Sequence, residues 1–206
     1  MLSDLFSILT NFALHTISAL GYAGVVLVMA IESACIPLPS VITMPFAGFL
    51  AAQGRFSLLG IAFAGAIGSV LGSIFTYWIV YKGGRPLFEK YGKYILVSRR
   101  DIDTADRFFV KYGSLASFFG RLLPVVRIFI SLPAGIFREN FKKFLLYTFT
   151  GSFLYSLLLG YLGMKLGEQW GHLQGKFRGF ESVIIILIIL AAAWWIWRHI
   201  KNRKME

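Results

Sequence analysis

The sequence predicts an all-α integral membrane protein, an inverted repeat of two re-entrant helical hairpins with about four transmembrane helices and amphipathic cytoplasmic linker helices. Three observations indicate this class. The 206 residues are 57% hydrophobic and only 15% charged, whereas soluble domains are usually about 25% charged. Long uncharged runs alternate with basic connecting segments. Two further apolar segments contain prolines, which exclude a straight helix.

Four segments approach or exceed the roughly 20 apolar residues that a helix needs to cross a bilayer. These predicted spans are Leu5 to Ile31, Phe56 to Tyr81, Phe144 to Met164 and Val183 to Trp197. The last is short, but its WWIW end is typical of the aromatic belt at a membrane interface. The N-terminal MLSDLF has no basic region, so we expect the first segment to remain in the mature protein.

The two proline-containing segments are 33–54 and 112–137. A broken backbone at membrane depth is tolerated only where it is buried in protein or lines a cavity, so both are predicted to be re-entrant hairpins. The expected breaks are at Pro37, Pro39, Pro124 and Pro133, with Gly48 and Gly135.

The two hairpins resemble each other in sequence. Pro37 matches Pro124, and Ala47-Gly48 matches Ala134-Gly135, at a constant offset of 87 residues. We therefore expect a first repeat at about 20–82, an amphipathic linker at 83–112, a second repeat at about 113–165 and a C-terminal transmembrane helix at about 182–198.

The net charge of +11 is concentrated between the apolar runs, with eight Lys and Arg in residues 82–112 and four in the tail from Arg198. The positive-inside rule then places both termini and the linker in the cytoplasm. This distribution favours a membrane surface over nucleic acid as the partner. With four spans, the hairpins enter from opposite sides, the inverted-repeat architecture in which substrates bind near the midplane.

One face of the second predicted span consists of small residues spaced four apart, with a neighbouring strip of the same kind. The two rows are Gly60, Ala64, Gly68 and Gly72, and Gly65, Ser69 and Ser73. Such faces let helix backbones approach closely. We expect packing against a hairpin, and a homodimer interface is the alternative.

Arg121 and Arg127 lie in the second hairpin, where each costs about 2.5–3.5 kcal/mol at the bilayer centre. In an unbroken helix they would point about 240° apart, but Pro124 lies between them, so both can face one cavity. Guanidinium groups pair with phosphate oxygens, which predicts an anionic headgroup as substrate. The alternative is that both arginines are structural.

Glu32 precedes the first hairpin and is the only acid between Asp4 and Glu89. Burial favours its neutral form and a nearby arginine its charged form, so it is a candidate for coupling transport to protons. A fixed ion pair that holds the hairpins together is the alternative.

Motifs for catalysis, metal binding or a cofactor are missing from the sequence. His15, His172 and His199 are scattered, and no HExxH or serine-elbow motif occurs. Cys35 is the only cysteine, which excludes an intrachain disulfide. We expect no catalytic residue, no metal site and no cofactor.

Two stretches resemble the DedA family of membrane proteins. They are ESACIPLPSVITMPFAGFLAAQGRF and FFGRLLPVVRIFISLPAGIFRENFKKF, and with the helices that follow the resemblance covers about residues 20–165. It implies that Arg121 and Arg127 are the family's essential arginines and that Glu32 is its first membrane acid. Many relatives carry a second acid where this chain has Val41.

The resemblance implies a lipid transporter in a bacterial cytoplasmic membrane. The residues of the first stretch are most similar to the branch of the family that recycles undecaprenyl phosphate. An alternative substrate is a phospholipid such as phosphatidylethanolamine, and proton-dependent efflux is an alternative role. Two other classes stay open: a polyprenyl-phosphate hydrolase, and a scaffold whose arginines only brace the hairpins.

Overall fold

The computed structural model describes residues 2–36, 38–91, 113–124 and 126–167, and every regular element in those ranges is helical. The helices are α1 (Leu2–Leu20), α2 (Tyr22–Ser33), α3 (Ser40–Ala52), α4 (Leu58–Tyr91), α5 (Leu115–Leu122), α6 (Val126–Phe129), α7 (Ser131–Ile136) and α8 (Phe141–Leu166). The prediction of an all-α protein is confirmed for this part of the chain.

Within the described part of the chain, two helices are long and apolar enough to cross a membrane. They are Leu58–Gly83 and Phe141–Leu166, each of 26 residues, with mean hydropathies of 2.0 and 1.4. At 1.5 Å per residue each is about 39 Å long, more than the roughly 30 Å of a hydrocarbon core. They contain the predicted spans Phe56 to Tyr81 and Phe144 to Met164 almost entirely, and they pack against each other.

The first predicted span, Leu5 to Ile31, is wrong as a single helix. The chain breaks at Gly21, whose φ of 65° is a conformation that glycine adopts readily. Helix α2 then folds back on α1, so closely that a Cβ at Gly24 would overlap the carbonyl of Thr16. At 12 residues, or about 18 Å, α2 is too short to cross a bilayer alone.

The other predicted segments fall partly or wholly outside the described residues. Helix α4 continues to Tyr91, so the predicted boundary at residue 83 does not end it. The rest of the linker, residues 92–112, and the fourth predicted span, Val183 to Trp197, lie outside the described part of the chain.

Both proline-containing segments interrupt the helices, but at fewer points than expected. Helix α2 ends at Ser33, and Pro39 is the residue before α3, whereas Pro37 lies outside the described residues. Pro124 lies in the turn between α5 and α6.

Three of the expected breaks are wrong, because Gly48, Pro133 and Gly135 all lie inside helices. Pro133 occupies the third position of α7, within the first turn, where a missing N–H costs no hydrogen bond. The two glycines have a different role: a Cβ at Gly48 would overlap the backbone carbonyl of Gly160, and one at Gly135 would lie 2.9 Å from the carbonyl oxygen of Tyr77. They allow close helix packing.

These close approaches follow a reciprocal pattern. Before each interruption, α2 packs on α4 and α5 packs on α8, the long helix that follows in the same half of the chain. After each interruption, α3 packs on α8 and α7 packs on α4, the long helix of the other half. The two interruptions therefore lie next to the α4–α8 pair, and this is where the buried charges are found.

Candidate functional site

The two arginines lie on either side of the second interruption. Arg121 is in the last turn of α5 and Arg127 is in α6, and their side chains are 0% and 1% exposed. Because the chain turns at Pro124, Arg121 reaches back to the second segment, and its Nη1 donates to the carbonyl oxygen of Arg127 at 3.0 Å. The structure brings the two guanidinium groups into one buried cluster.

Glu32 belongs to the same cluster, although it comes from the other half of the chain. Its Oε2 lies 3.8 Å from Arg127 Nη2, and both side chains are 1% exposed. Its Oε1 accepts a hydrogen bond from Ser40 Oγ, at the first residue of α3, at 2.5 Å. Glu32 therefore connects both ends of the first interruption to the second one.

Serine hydroxyls support the guanidinium groups from neighbouring helices. Arg121 Nη2 donates to the hydroxyls of Ser73 on α4 and Ser131 on α7. Arg127 Nη2 donates to Ser69 Oγ on α4 at 3.3 Å. The strip of small residues on α4 therefore has a polar function at these two positions, in addition to close packing.

An aromatic ring completes the cluster. The Arg127 guanidinium carbon lies 3.9 Å from the centre of the Tyr155 ring on α8, a distance at which the ring face attracts a cation. The Tyr155 hydroxyl lies 3.4 Å from Ser40 Oγ. Sequence reasoning did not find Ser40, Ser131 or Tyr155, because serine and tyrosine are common in apolar helices and no spacing marks these positions.

The cluster carries one positive charge in excess. Glu32, Arg121 and Arg127 are the fully buried charged side chains among the described residues, and two cations face one carboxylate. Arg121 Nε and Arg127 Nη1 have no hydrogen-bond acceptor among the described residues. Unpaired buried donors are costly, so the arrangement suits one further anionic acceptor.

The chain is similar to a known domain family and to named membrane proteins. Residues 38–165 match the model of the VTT domain. Undecaprenyl phosphate transporter A of Bacillus subtilis is 37% identical over 94% of this chain and 91% of its own length. The protein of the same name in Staphylococcus aureus is 29% identical over 96% of this chain and 97% of its own.

A third relative has a name of a different kind. An alkaline phosphatase-like protein of Lactococcus lactis subsp. cremoris is 30% identical over 85% of this chain and 84% of its own length. No solved structure matches the chain. The domain match spans more than half of the sequence and includes Arg121 and Arg127, and the chain belongs to the VTT-domain, or DedA, family of membrane proteins.

Proposed function

We propose that this protein is a transporter of the bacterial cytoplasmic membrane that moves undecaprenyl phosphate towards the cytoplasm for reuse. The two interrupted segments would be re-entrant hairpins of an inverted repeat, with both termini in the cytoplasm. Arg121 and Arg127 would bind the phosphate between the hairpins, and the polyprenyl tail would stay in lipid. The names of two relatives that align along almost their whole lengths support this substrate.

The excess buried positive charge is the observation that carries the proposal. Arg121 and Arg127 are held by protein partners but keep one free donor each, Nε and Nη1. A phosphate monoester offers several acceptor oxygens and a negative charge, which match both needs. A neutral alcohol such as undecaprenol would provide neither the charge nor the set of acceptors.

Glu32 supplies a physical reason for proton coupling. A bound phosphate would compete with the Glu32 carboxylate for Arg127, which now lies 3.8 Å from it. If the phosphate is dianionic, two arginines balance it only when Glu32 is neutral. Uptake of one proton by Glu32 would therefore accompany binding. Val41 stands where the family resemblance implies a second acid, so coupling would either be altered in this chain or rest on Glu32 alone.

The test is thermal stabilisation of the purified protein by undecaprenyl phosphate, with undecaprenol and phosphatidylethanolamine as comparison lipids. A ligand at about one hundred times its Kd stabilises the folded state by about 2.7 kcal/mol. We expect a shift with undecaprenyl phosphate in the wild type and none in Arg121→Ala/Arg127→Ala.

Two further variants keep this test decisive. Arg121→Lys retains the charge but loses the fork that binds two oxygens, and we expect a folded protein with a reduced shift. Arg55→Ala removes an exposed arginine whose side chain donates to the Ser18 carbonyl, and we expect a wild-type shift. No phosphate-dependent shift in the wild type would contradict the proposal, and an equal shift with phosphatidylethanolamine would favour the phospholipid alternative.

A hydrolase is the second candidate function, favoured by the name of the Lactococcus lactis relative. Release of inorganic phosphate from undecaprenyl pyrophosphate by purified protein would support it. Headgroup transfer between the leaflets of vesicles, without phosphate release, is the result that we expect.

A further inference from the structure

Three buried hydroxyl groups form a row along the inner face of α8. Thr148, Ser152 and Ser156 are spaced four residues apart, so they lie on one side of the helix, over about 12 Å. All three side chains are 0% exposed. None of the three hydroxyls has a hydrogen-bond partner among the described residues. We call these residues the hydroxyl row.

Several other helical hydroxyls in the described residues donate within their own helix, whereas the buried hydroxyls of Thr10, Ser33 and Thr43 do not. Thr16, Thr76 and Thr150 donate to the carbonyl oxygens four residues earlier, at 2.7, 3.2 and 2.9 Å. Thr150 lies on α8 between two members of the hydroxyl row. The row therefore differs from Thr150 on the same helix in keeping its hydroxyls free, which is costly in a buried, apolar setting.

The hydroxyl row runs beside the buried charges. Gly151, next to Ser152, packs against Arg121 so closely that an added Cβ would lie 2.8 Å from the arginine Cβ. Tyr155, next to Ser156, lies under Arg127. Three more buried hydroxyls have no partner among the described residues: Thr10 lies on α1, whereas Ser33 on α2 and Thr43 on α3 belong to the helices that flank the first interruption.

Close packing alone explains the small size of these residues but not their hydroxyls. Ser156 lies against Gly65 of α4, a contact that alanine would also permit. Free hydroxyl donors on the helix that contacts both arginines instead suit an anionic group that moves between strong and weak partners. Conduction through a membrane requires sites that bind strongly enough for entry and weakly enough for release.

We propose that Thr148, Ser152 and Ser156 form a second, uncharged binding subsite that receives the phosphate oxygens of a lipid headgroup as they leave Arg121 and Arg127. The inference rests on the proposed function in taking a lipid phosphate as the passenger. The arginines would set the affinity, and the hydroxyl row would set the rate at which the headgroup passes along α8.

The first test removes the hydroxyls without changing side-chain volume much. Thr148→Val, Ser152→Ala and Ser156→Ala should each slow headgroup transfer in vesicles by about fivefold, the equivalent of one neutral hydrogen bond. The stabilisation by undecaprenyl phosphate should persist, because both arginines remain. Thermal stability without lipid should not fall, because no protein hydrogen bond is lost. Thr150→Val is the matched control, and we expect it to transfer headgroups at the wild-type rate.

The second test measures whether anions reach the hydroxyl row from water. The background is Cys35→Ser, chosen because a hydroxyl is also a donor for the Ile128 carbonyl that the Cys35 thiol contacts. In it, Ser152→Cys should react with a sulfonate-bearing methanethiosulfonate. Thr150→Cys on the same helix should react at least about tenfold more slowly, because a thiol in apolar surroundings rarely ionises. Undecaprenyl phosphate should protect Ser152→Cys.

The outcomes separate this inference from the proposed function. A triple variant at Thr148, Ser152 and Ser156 that transports at the wild-type rate would overturn the inference and reduce the row to packing. An unreactive Ser152→Cys would also overturn it. Labelling of Ser152→Cys without any phosphate-dependent stabilisation in the wild type would instead overturn the choice of lipid phosphate, and the hydroxyl row would stand as an anion path.

Discussion

Arg127 and Glu32 form an ion pair across the two halves of the chain, with Nη2 and Oε2 3.8 Å apart and both side chains 1% exposed. The pair joins the end of α2 to α6, and so connects one helix interruption to the other. Removing two charges from water costs several kcal/mol per ion, and only good geometry and further hydrogen bonds offset that cost. The hydroxyls of Ser40 and Ser69 provide such bonds.

This ion pair predicts that the single variant Arg127→Gln loses more stability than the double variant Glu32→Gln/Arg127→Gln. Arg127→Gln should lower the free energy of unfolding by about 3–5 kcal/mol, because the Glu32 carboxylate is left buried without its cation. Glu32→Gln/Arg127→Gln should recover part of that loss. Denaturation of the purified variants in one detergent measures both. Arg55→Gln is an exposed control and should change stability by at most about 0.5 kcal/mol. The pairing would be contradicted if the losses of stability from the two buried substitutions simply added.

The contact between α3 and α8 predicts a difference between two glycine variants. A Cβ at Gly48 would overlap the backbone carbonyl of Gly160, which cannot move without shifting α8. We expect Gly48→Ala to destabilise the protein by about 1–3 kcal/mol, the usual cost of overpacking. The measurement is the thermal unfolding midpoint at fixed detergent and lipid concentrations.

Gly160→Ala is the matched control for this contact. Its Cβ would meet Ile61 Cδ1 at 2.8 Å, the end of a side chain that can rotate away, and alanine also favours the helix by about 1 kcal/mol. We expect Gly160→Ala to remain within about 1 kcal/mol of the wild type. Equal losses of thermal stability in Gly48→Ala and Gly160→Ala would contradict the close contact between α3 and α8 at Gly48.

The sequence was most informative where a residue type was out of place. Arg121, Arg127 and Glu32 are charges in apolar segments, and that isolation, with the Pro124 break between the arginines, made them candidate site residues. The offset of 87 residues pairs Gly48 with Gly135, and each of them lies at a close approach to a long helix, α8 or α4. It did not reveal their role, because a glycine at a break and a glycine at a close approach look the same in sequence.

Other features carry no such signal. A hydropathy average over 27 residues cannot register the single backbone change at Gly21 that divides the first apolar run into α1 and α2. Ser131 on α7 contacts Arg121, and Tyr155 on α8 contacts Arg127, only because each helix packs next to the arginines in three dimensions. Contacts of this kind depend on the packing of distant elements, which no local pattern encodes.

Cys35 predicts a backbone effect just after α2. Its φ of 67° lies in the left-handed region, which costs a non-glycine residue about 1–2 kcal/mol. We expect Cys35→Gly to be more stable than Cys35→Ala by about 1 kcal/mol, since both lose the thiol and only glycine relieves the strain. Chemical denaturation of the two variants measures the difference, and a less stable Cys35→Gly would contradict it.

Glu139 lies in the connection between α7 and α8, outside the two long apolar helices. Its Oε2 accepts a hydrogen bond from Ser117 Oγ of α5 at 2.6 Å, and its backbone carbonyl accepts one from the Tyr77 hydroxyl of α4 at 2.7 Å. The neighbouring Arg138 guanidinium lies 5.3 Å from the centre of the Tyr81 ring. Burial raises the pKa of the Glu139 carboxyl above its ordinary 4.5, and hydrogen bonds from Ser117 and Ser114 oppose that change.

The raised pKa of Glu139 predicts a pH dependence of stability. Between pH 4.5 and the folded-state pKa, the folded protein keeps a proton that the unfolded chain has lost, so stability falls as the pH rises through this window. Glu139→Gln removes the titration, and we expect it to be more stable than the wild type above the window and equal to it below pH 4.5. Ser117→Ala should extend the window to higher pH, because it removes a donor to the carboxylate. Unfolding midpoints measured from pH 4 to pH 8 test this, and parallel curves for wild type and Glu139→Gln would refute it.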